Sequence, residues 1–169
     1  MPMPLETLFL DLLETDKHRI FRICRSFAPD PEAAQDLFQE TVLQLWKSLP
    51  TFRGEAHIRT WVYRVTLNVC LQGRHQYKRQ QRQTVHLDSI QFGNVPEVTP
   101  DPDQEARLQA LHTCIQKLNE TDRSLVLLYL EDLPYKEIAT VTGLSENHVA
   151  VKMKRIREKL FTCLQPALC

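Results

Sequence analysis

Two stretches of the chain carry side chains suited to meeting a polyanion. In the first, Arg59, Trp61, Tyr63, Arg64, Asn68 and Arg74 fall within residues 59–82, and Phe52 and Arg53 occupy the loop just before them. Guanidinium groups follow a phosphate backbone, and aromatic rings offer unpaired nucleobases a stacking surface worth roughly 1–3 kcal/mol per base, so this mixture suits a single strand. Trp61 lies on an apolar stripe and fits a core position too, which leaves Tyr63, Asn68 and the Phe52-Arg53 loop as the better candidates for touching a base. In the second stretch, Gly143-Leu144 reads as a tight turn and Ser145 as an N-cap, with Glu146, Asn147, His148, Val151, Lys152 and Arg155 on the helix that follows. A short helix, a glycine turn and a longer basic helix form a helix-turn-helix, whose second helix enters the major groove by its N-terminal half. Glu146, Asn147 and His148 stand where base edges are met, and Lys152 and Arg155 suit phosphate or guanine contacts.

Catalytic chemistry has no comparable footing. The chain lacks GxSxG, a P-loop and HExxH, and its histidines show no ligand spacing. His112 and Cys114 are two residues apart on a predicted helix and point to different faces, so neither a catalytic nor a metal site is expected, and no cofactor. Cys24, Cys70, Cys114, Cys163 and Cys169 are odd in number and scattered without a CxxC pair, which predicts reduced thiols rather than a disulfide scaffold or a zinc knuckle.

The formal net charge of zero conceals a strong pattern. Residues 1–50 hold five bases and eight acids, whereas residues 51–83 hold seven bases and one acid. An acidic block beside a basic one predicts a protein-facing surface next to a polyanion-facing surface, because clustered charge governs encounter more than net charge does. No basic n-region precedes an apolar run at the N-terminus, and the longest apolar run, Leu125 to Leu130, is far short of the roughly 20 residues a membrane span needs. A cytoplasmic protein is expected, too short at 169 residues for an additional sensory domain.

Helices must hold these side chains in place. Apolar spacing through Leu5, Leu8, Phe9, Leu12 and Leu13 and on through Ile20, Ile23, Cys24 and Phe27 predicts one helix or a kinked pair ending at Ala28-Pro29. Asp30 as N-cap and Pro31 at the first helical position open a second, which ends near Leu49-Pro50. Ile58, Trp61, Val62, Val65 and Val69 mark a third, extended outward by a basic polar stretch. Periodicity fades between residues 84 and 103, where Pro96, Pro100 and Pro102 alternate with acids, as in an extended tether. Leu108, Leu111, Ile115 and Leu118 begin a second helical unit, with a cap signal at Thr121-Asp122, a helix from Tyr135 to Val141 and a last helix from Glu146 to Leu164. The expected fold is all-α: an N-terminal bundle of three to four helices over residues 1–83, a flexible linker over 84–103, and a helix-turn-helix unit over 104–169.

Three segments then resemble one family in order and spacing. PEAAQDLFQETVLQLW (31–46), FRGEAHIRTWVYRVTLNVCLQGRH (52–75) and LPYKEIATVTGLSENHVAVKMKRIREKL (133–160) are similar to successive signature segments of the extracytoplasmic-function sigma factors, a group within the sigma-70 family of bacterial transcription initiation factors. The resemblance spans Leu8 to Leu164, the tether apart. It implies that Asp36, Leu37, Gln39, Glu40, Leu45 and Trp46 dock on the clamp of core RNA polymerase. It assigns Phe52, Arg53, Arg59, Trp61, Tyr63, Arg64, Asn68 and Arg74 to the melted minus-10 element, whose extruded base costs a few kcal/mol to unstack. Ser145, Glu146, Asn147, His148, Val151, Lys152 and Arg155 take the minus-35 duplex, and the unit around Leu125 to Leu130 takes the polymerase flap. Family members are often held inactive by an anti-sigma protein, which joins the expected partners on that ground alone. His148, Ala150 and Val151 replace the Thr, basic residue and Ser common in the family, so base preference should differ. The rival reading is a stand-alone helix-turn-helix regulator of duplex DNA acting without polymerase, for which the basic aromatic helix would have no use.

Overall fold

A computed structural model describes residues 3–80 and 101–168, the side chains of 74–80 excepted. Among the described residues the chain is all-α, with seven α-helices, one 3-10 turn and no strand. Helix α1 (Leu5–Phe27) is a single continuous helix, and it stops where Ala28 turns extended (φ −84°, ψ 144°), as a residue before proline is forced to do. Helix α2 (Pro31–Ser48) starts as its sequence predicts: Asp30 Oδ1 accepts the Ala33 N–H at 2.8 Å and Pro31 occupies the first turn. The 3-10 turn Leu49–Thr51 leads to α3 (Ile58–Gln80), and these three helices bury Ile20, Ile23, Cys24, Leu45, Val62 and Cys70 between them. Helices α2 and α3 meet closely at Gly73, where an added Cβ would come within 2.5 Å of Leu37 Cδ2.

The second unit comprises α4 (Pro102–Gln116), α5 (Glu120–Leu130), α6 (Tyr135–Thr142) and α7 (Glu146–Leu168). Pro102 and Asp103, assigned to the tether by sequence, are the first residues of α4, capped by Asp101; residues 84–100 lie outside the described residues. The cap of α5 is Asn119 rather than Thr121-Asp122. Its Oδ1 accepts the Asp122 N–H at 2.8 Å, which satisfies one first-turn donor, and its Nδ2 donates to Asp122 Oδ2 at 3.2 Å, which holds the two side chains together. Gly143 takes the left-handed conformation (φ 75°) that lets α6 turn into α7, and α7 runs on past Leu164 through Pro166. Val149, Met153, Ile156 and Leu160 face inward, as their spacing predicts.

The thiols depart from expectation. Cys114 on α4 and Cys163 on α7 form a disulfide, with Cα atoms 6.0 Å apart and 49 residues between them. Two helices lying side by side bring together cysteines that no sequence spacing would pair. Cys24 and Cys70 are free and buried, with their sulfurs 3.8 Å apart. The hydrogen bond from Cys70 to Cys24, together with burial, pushes the Cys70 thiol well above its usual range, which leaves it protonated and unreactive.

The two units are packed on one another. Helices α1 and α3 contact α4, α5 and α6, and a single apolar cluster runs from Leu12 and Tyr63 through to Leu125 and Met153. Polar links reinforce this contact: Arg22 Nε and Nη2 each donate to Glu131 at 2.8 Å, and Gln116 Nε2 donates to the Ala28 carbonyl at 3.4 Å.

Candidate nucleic-acid interface

Helix α7 presents its N-terminal half to solvent. Ser145, Glu146, Asn147, His148, Val151 and Arg155 are all exposed, and Ser145 Oγ accepts the His148 N–H at 3.2 Å, which fixes the start of the helix. The buried stripe of Val149, Met153 and Ile156 seats the opposite face on α5 and α6, so the sequence-predicted set shares one outward surface. Lys152 is the exception. It is only half-exposed, and its Nζ points back to Asp122 Oδ1 at 3.4 Å, with Lys159 Nζ on Oδ2 of the same carboxylate at 2.8 Å. Burial alone would raise the Asp122 pKa; the hydrogen bond from Lys159 and the charges of both lysines outweigh it and hold the carboxyl below its usual range. Asp122 therefore ties α7 to α5, and Lys152 serves that tie in this conformation.

The α3 candidates divide. Phe52 and Trp61 are half-buried against each other, ring centroids 5.2 Å apart, while Arg53 and Asn68 are exposed. Tyr63 is fully buried, contrary to its place among the base-contacting candidates, and its hydroxyl has no hydrogen-bond partner. Burial pushes that hydroxyl up to about 12, with the negative charge of Glu131 adding to the effect. Arg59 Nε lies 3.7 Å from the buried Asp16, and Arg64 Nη2 donates to the Thr140 carbonyl at 2.9 Å. The Arg74 side chain lies outside the described residues.

On α2, Asp36, Gln39, Glu40 and Trp46 are exposed and form the acidic face expected for a protein partner. Phe9 of α1 stacks on Trp46 with centroids 5.0 Å apart, and exposed Leu10 and Leu43 enlarge the apolar part of the surface. Leu45 is fully buried and Leu37 lies over Gly73, so these two support the face from within and do not line it. The run from Leu125 to Leu130 is mostly internal as well. Leu125, Val126, Leu127 and Leu128 are core residues, and only Tyr129 and Leu130 reach solvent. The unit's exposed apolar cleft lies elsewhere, between α4 and α7, lined by Leu108, Leu111, Leu164, Ala167 and Leu168. Sequence reasoning missed Asp16, Glu131 and Asp122 as the acids that organise the basic side chains, because pairs such as Arg22 and Glu131 are 109 residues apart and leave no local trace.

Comparison with known proteins matches this arrangement. The family model for Sigma-70 region 2 covers residues 12–83, and that for Sigma-70, region 4 covers residues 108–160. The chain is 29% identical over 163 residues to the RNA polymerase sigma-H factor of Pseudomonas aeruginosa, covering 90% of this chain and 83% of that protein. It is 28% identical over 158 residues to the ECF RNA polymerase sigma factor SigG of Mycobacterium tuberculosis, covering 76% of this chain and 41% of the relative. The fold matches that of the sigma factor RpoE solved in complex with the anti-sigma factor NepR from Bartonella quintana, with a TM-score of 0.73 and 18% identity over 93% of this chain and 96% of that one. With both regions present in order on two packed helical units, the chain belongs to the sigma-70 family of RNA polymerase sigma factors, in its extracytoplasmic-function group.

Proposed function

We propose that this sigma factor docks on the clamp of core RNA polymerase through the α2 face of Asp36, Gln39, Glu40 and Trp46, with Leu37 and Leu45 holding that face in shape. Phe52, Arg53, Arg59, Trp61, Arg64, Asn68 and Arg74 then engage the melted minus-10 strand, where stacking and phosphate contacts offset the cost of unpairing, while the buried Tyr63 supports α3 from within. Ser145, Glu146, Asn147, His148, Val151 and Arg155 read the minus-35 duplex, with Lys152 joining them when its bond to Asp122 yields. Residues 1–83 and the unit that begins at α4 act as the two DNA-binding units, joined by the connector that ends at the Asp101 cap. The second unit, around Leu125 to Leu130, docks on the polymerase flap. Catalysis belongs to the polymerase, and the chain acts in the cytoplasm, open to control by an anti-sigma partner such as the one RpoE carries.

The observation that carries this reading is the outward face of α7, capped by Ser145 and borne on a unit that matches sigma region 4. Its single-strand half is tested by comparing holoenzyme affinity for a fully paired promoter with that for the same promoter pre-melted at minus 10. Tighter binding to the pre-melted template supports the assignment of α3, and equal affinity for the two contradicts it.

A further inference from the structure

His148, Lys152, Arg155 and Lys159 follow one another along α7 at intervals of four, three and four residues, which sets them in a single basic row. An acid of α5 holds two of the four. Asp122, its side chain only 6% exposed, accepts Lys159 Nζ at 2.8 Å and Asn119 Nδ2 at 3.2 Å on Oδ2, and Lys152 Nζ at 3.4 Å on Oδ1. These bonds differ in what their loss leaves behind. When Lys152 departs, Oδ2 keeps both of its donors, so the buried carboxylate is still paired and avoids the cost of an isolated charge. Lys152 is therefore the partner that leaves most easily. Its bond is the longest of the three, its side chain is 28% exposed, and Arg155 stands a turn away on the outer face.

We infer that Asp122 competes with DNA phosphate for Lys152 and so sets how tightly α7 grips a duplex, the ammonium passing from carboxylate to phosphate as DNA arrives. The inference rests on reading α7 as the duplex-binding helix. Carboxylate and phosphate both accept charge-assisted hydrogen bonds from an ammonium, so binding exchanges one ion pair for another instead of adding a new one. The exchange returns less than a fresh contact would, and affinity is held down for as long as Asp122 keeps its charge. Burial works against that charge, but the hydrogen bond from Lys159 and the charges of both lysines keep the carboxyl ionised.

Asp122→Asn keeps the size of the side chain and removes its charge. A purely structural role predicts weaker DNA binding, since the substitution loosens the joint between α5 and α7. Competition predicts the opposite: on a fluorescent duplex of randomised sequence the variant should bind roughly fivefold or more tightly than the parent chain, and the slope of log affinity against log salt should steepen by about one unit, as one added phosphate contact requires. The gain must run through Lys152. Adding Lys152→Ala should abolish it, leaving the double variant no tighter than Lys152→Ala alone, whereas a simple rise in net charge would survive that change. Should Asp122→Asn cost the fold, nitrogen NMR of the lysine ammonium groups in the parent chain carries the test, because a bound duplex should move the Lys152 signal from its position in the free chain. Weaker or unchanged binding by the folded Asp122→Asn variant, a gain that persists without Lys152, or an unmoved Lys152 signal on a bound duplex overturns the inference. Loss of affinity in Arg155→Ala with no gain from Asp122→Asn keeps α7 as the duplex helix and overturns the competition alone. A Lys152-dependent gain with Arg155→Ala neutral upholds the competition and moves the duplex off the outer face of α7.

Discussion

Asp122 is the residue on which the second unit turns. It completes the α5 cap with Asn119 and accepts from Lys152 and Lys159 of α7, so one carboxylate joins two helices. A carboxyl held below its unfolded pKa contributes stability above that unfolded value and loses it as pH falls through the folded one. Asp122→Asn should therefore lower stability near neutral pH by about 2 kcal/mol and shrink the loss between neutral and acid conditions, measured by urea denaturation across pH. An unchanged acid limb would show that another carboxylate governs it. Arg155, exposed on the outer face of α7, carries the complementary DNA prediction. If it meets a phosphate, Arg155→Ala should weaken duplex binding and reduce the slope of log affinity against log salt by about one unit, read by fluorescence anisotropy. An unchanged slope removes it from the contact set.

Among the helices, local chemistry was legible wherever it was strong. Asp30-Pro31 set the start of α2, Gly143 and Ser145 set the turn into α7, and the spacing of Val149, Met153, Ile156 and Leu160 chose its buried face. The departures come from tertiary contact. Leu125 to Leu128 read from sequence only as an apolar run, and they fill the core because α6 and α7 close over α5. Cys114 and Cys163 give no local signal because helix pairing alone brings them together. That disulfide closes a long loop, and in the chain-entropy model its loss should cost up to about 4 kcal/mol. Cys163→Ser should therefore lower the melting temperature, and reductant should lower that of the parent chain while leaving the variant unmoved. Equal melting of the parent with and without reductant would show that the link adds nothing.

At the scale of the molecule, sequence separated two helical units and their charge but could not reveal their contact. Arg22 on α1 finds Glu131, and Arg64 on α3 finds the Thr140 carbonyl, across 109 and 76 residues, so each also contacts the second unit. Tyr63 shows the consequence: its ring suits a nucleobase, yet it lies in the core with an unpartnered hydroxyl. The outer face of α7 and the acidic face of α2, proposed for duplex DNA and for polymerase, are exposed in this structure. Transcription reports on all of these surfaces together. Added to core RNA polymerase on a negatively supercoiled genomic library, the chain should direct transcripts from a limited set of discrete start sites preceded by paired minus-35 and minus-10 elements. Formation of a stable complex with core polymerase but no specific start site would contradict the account.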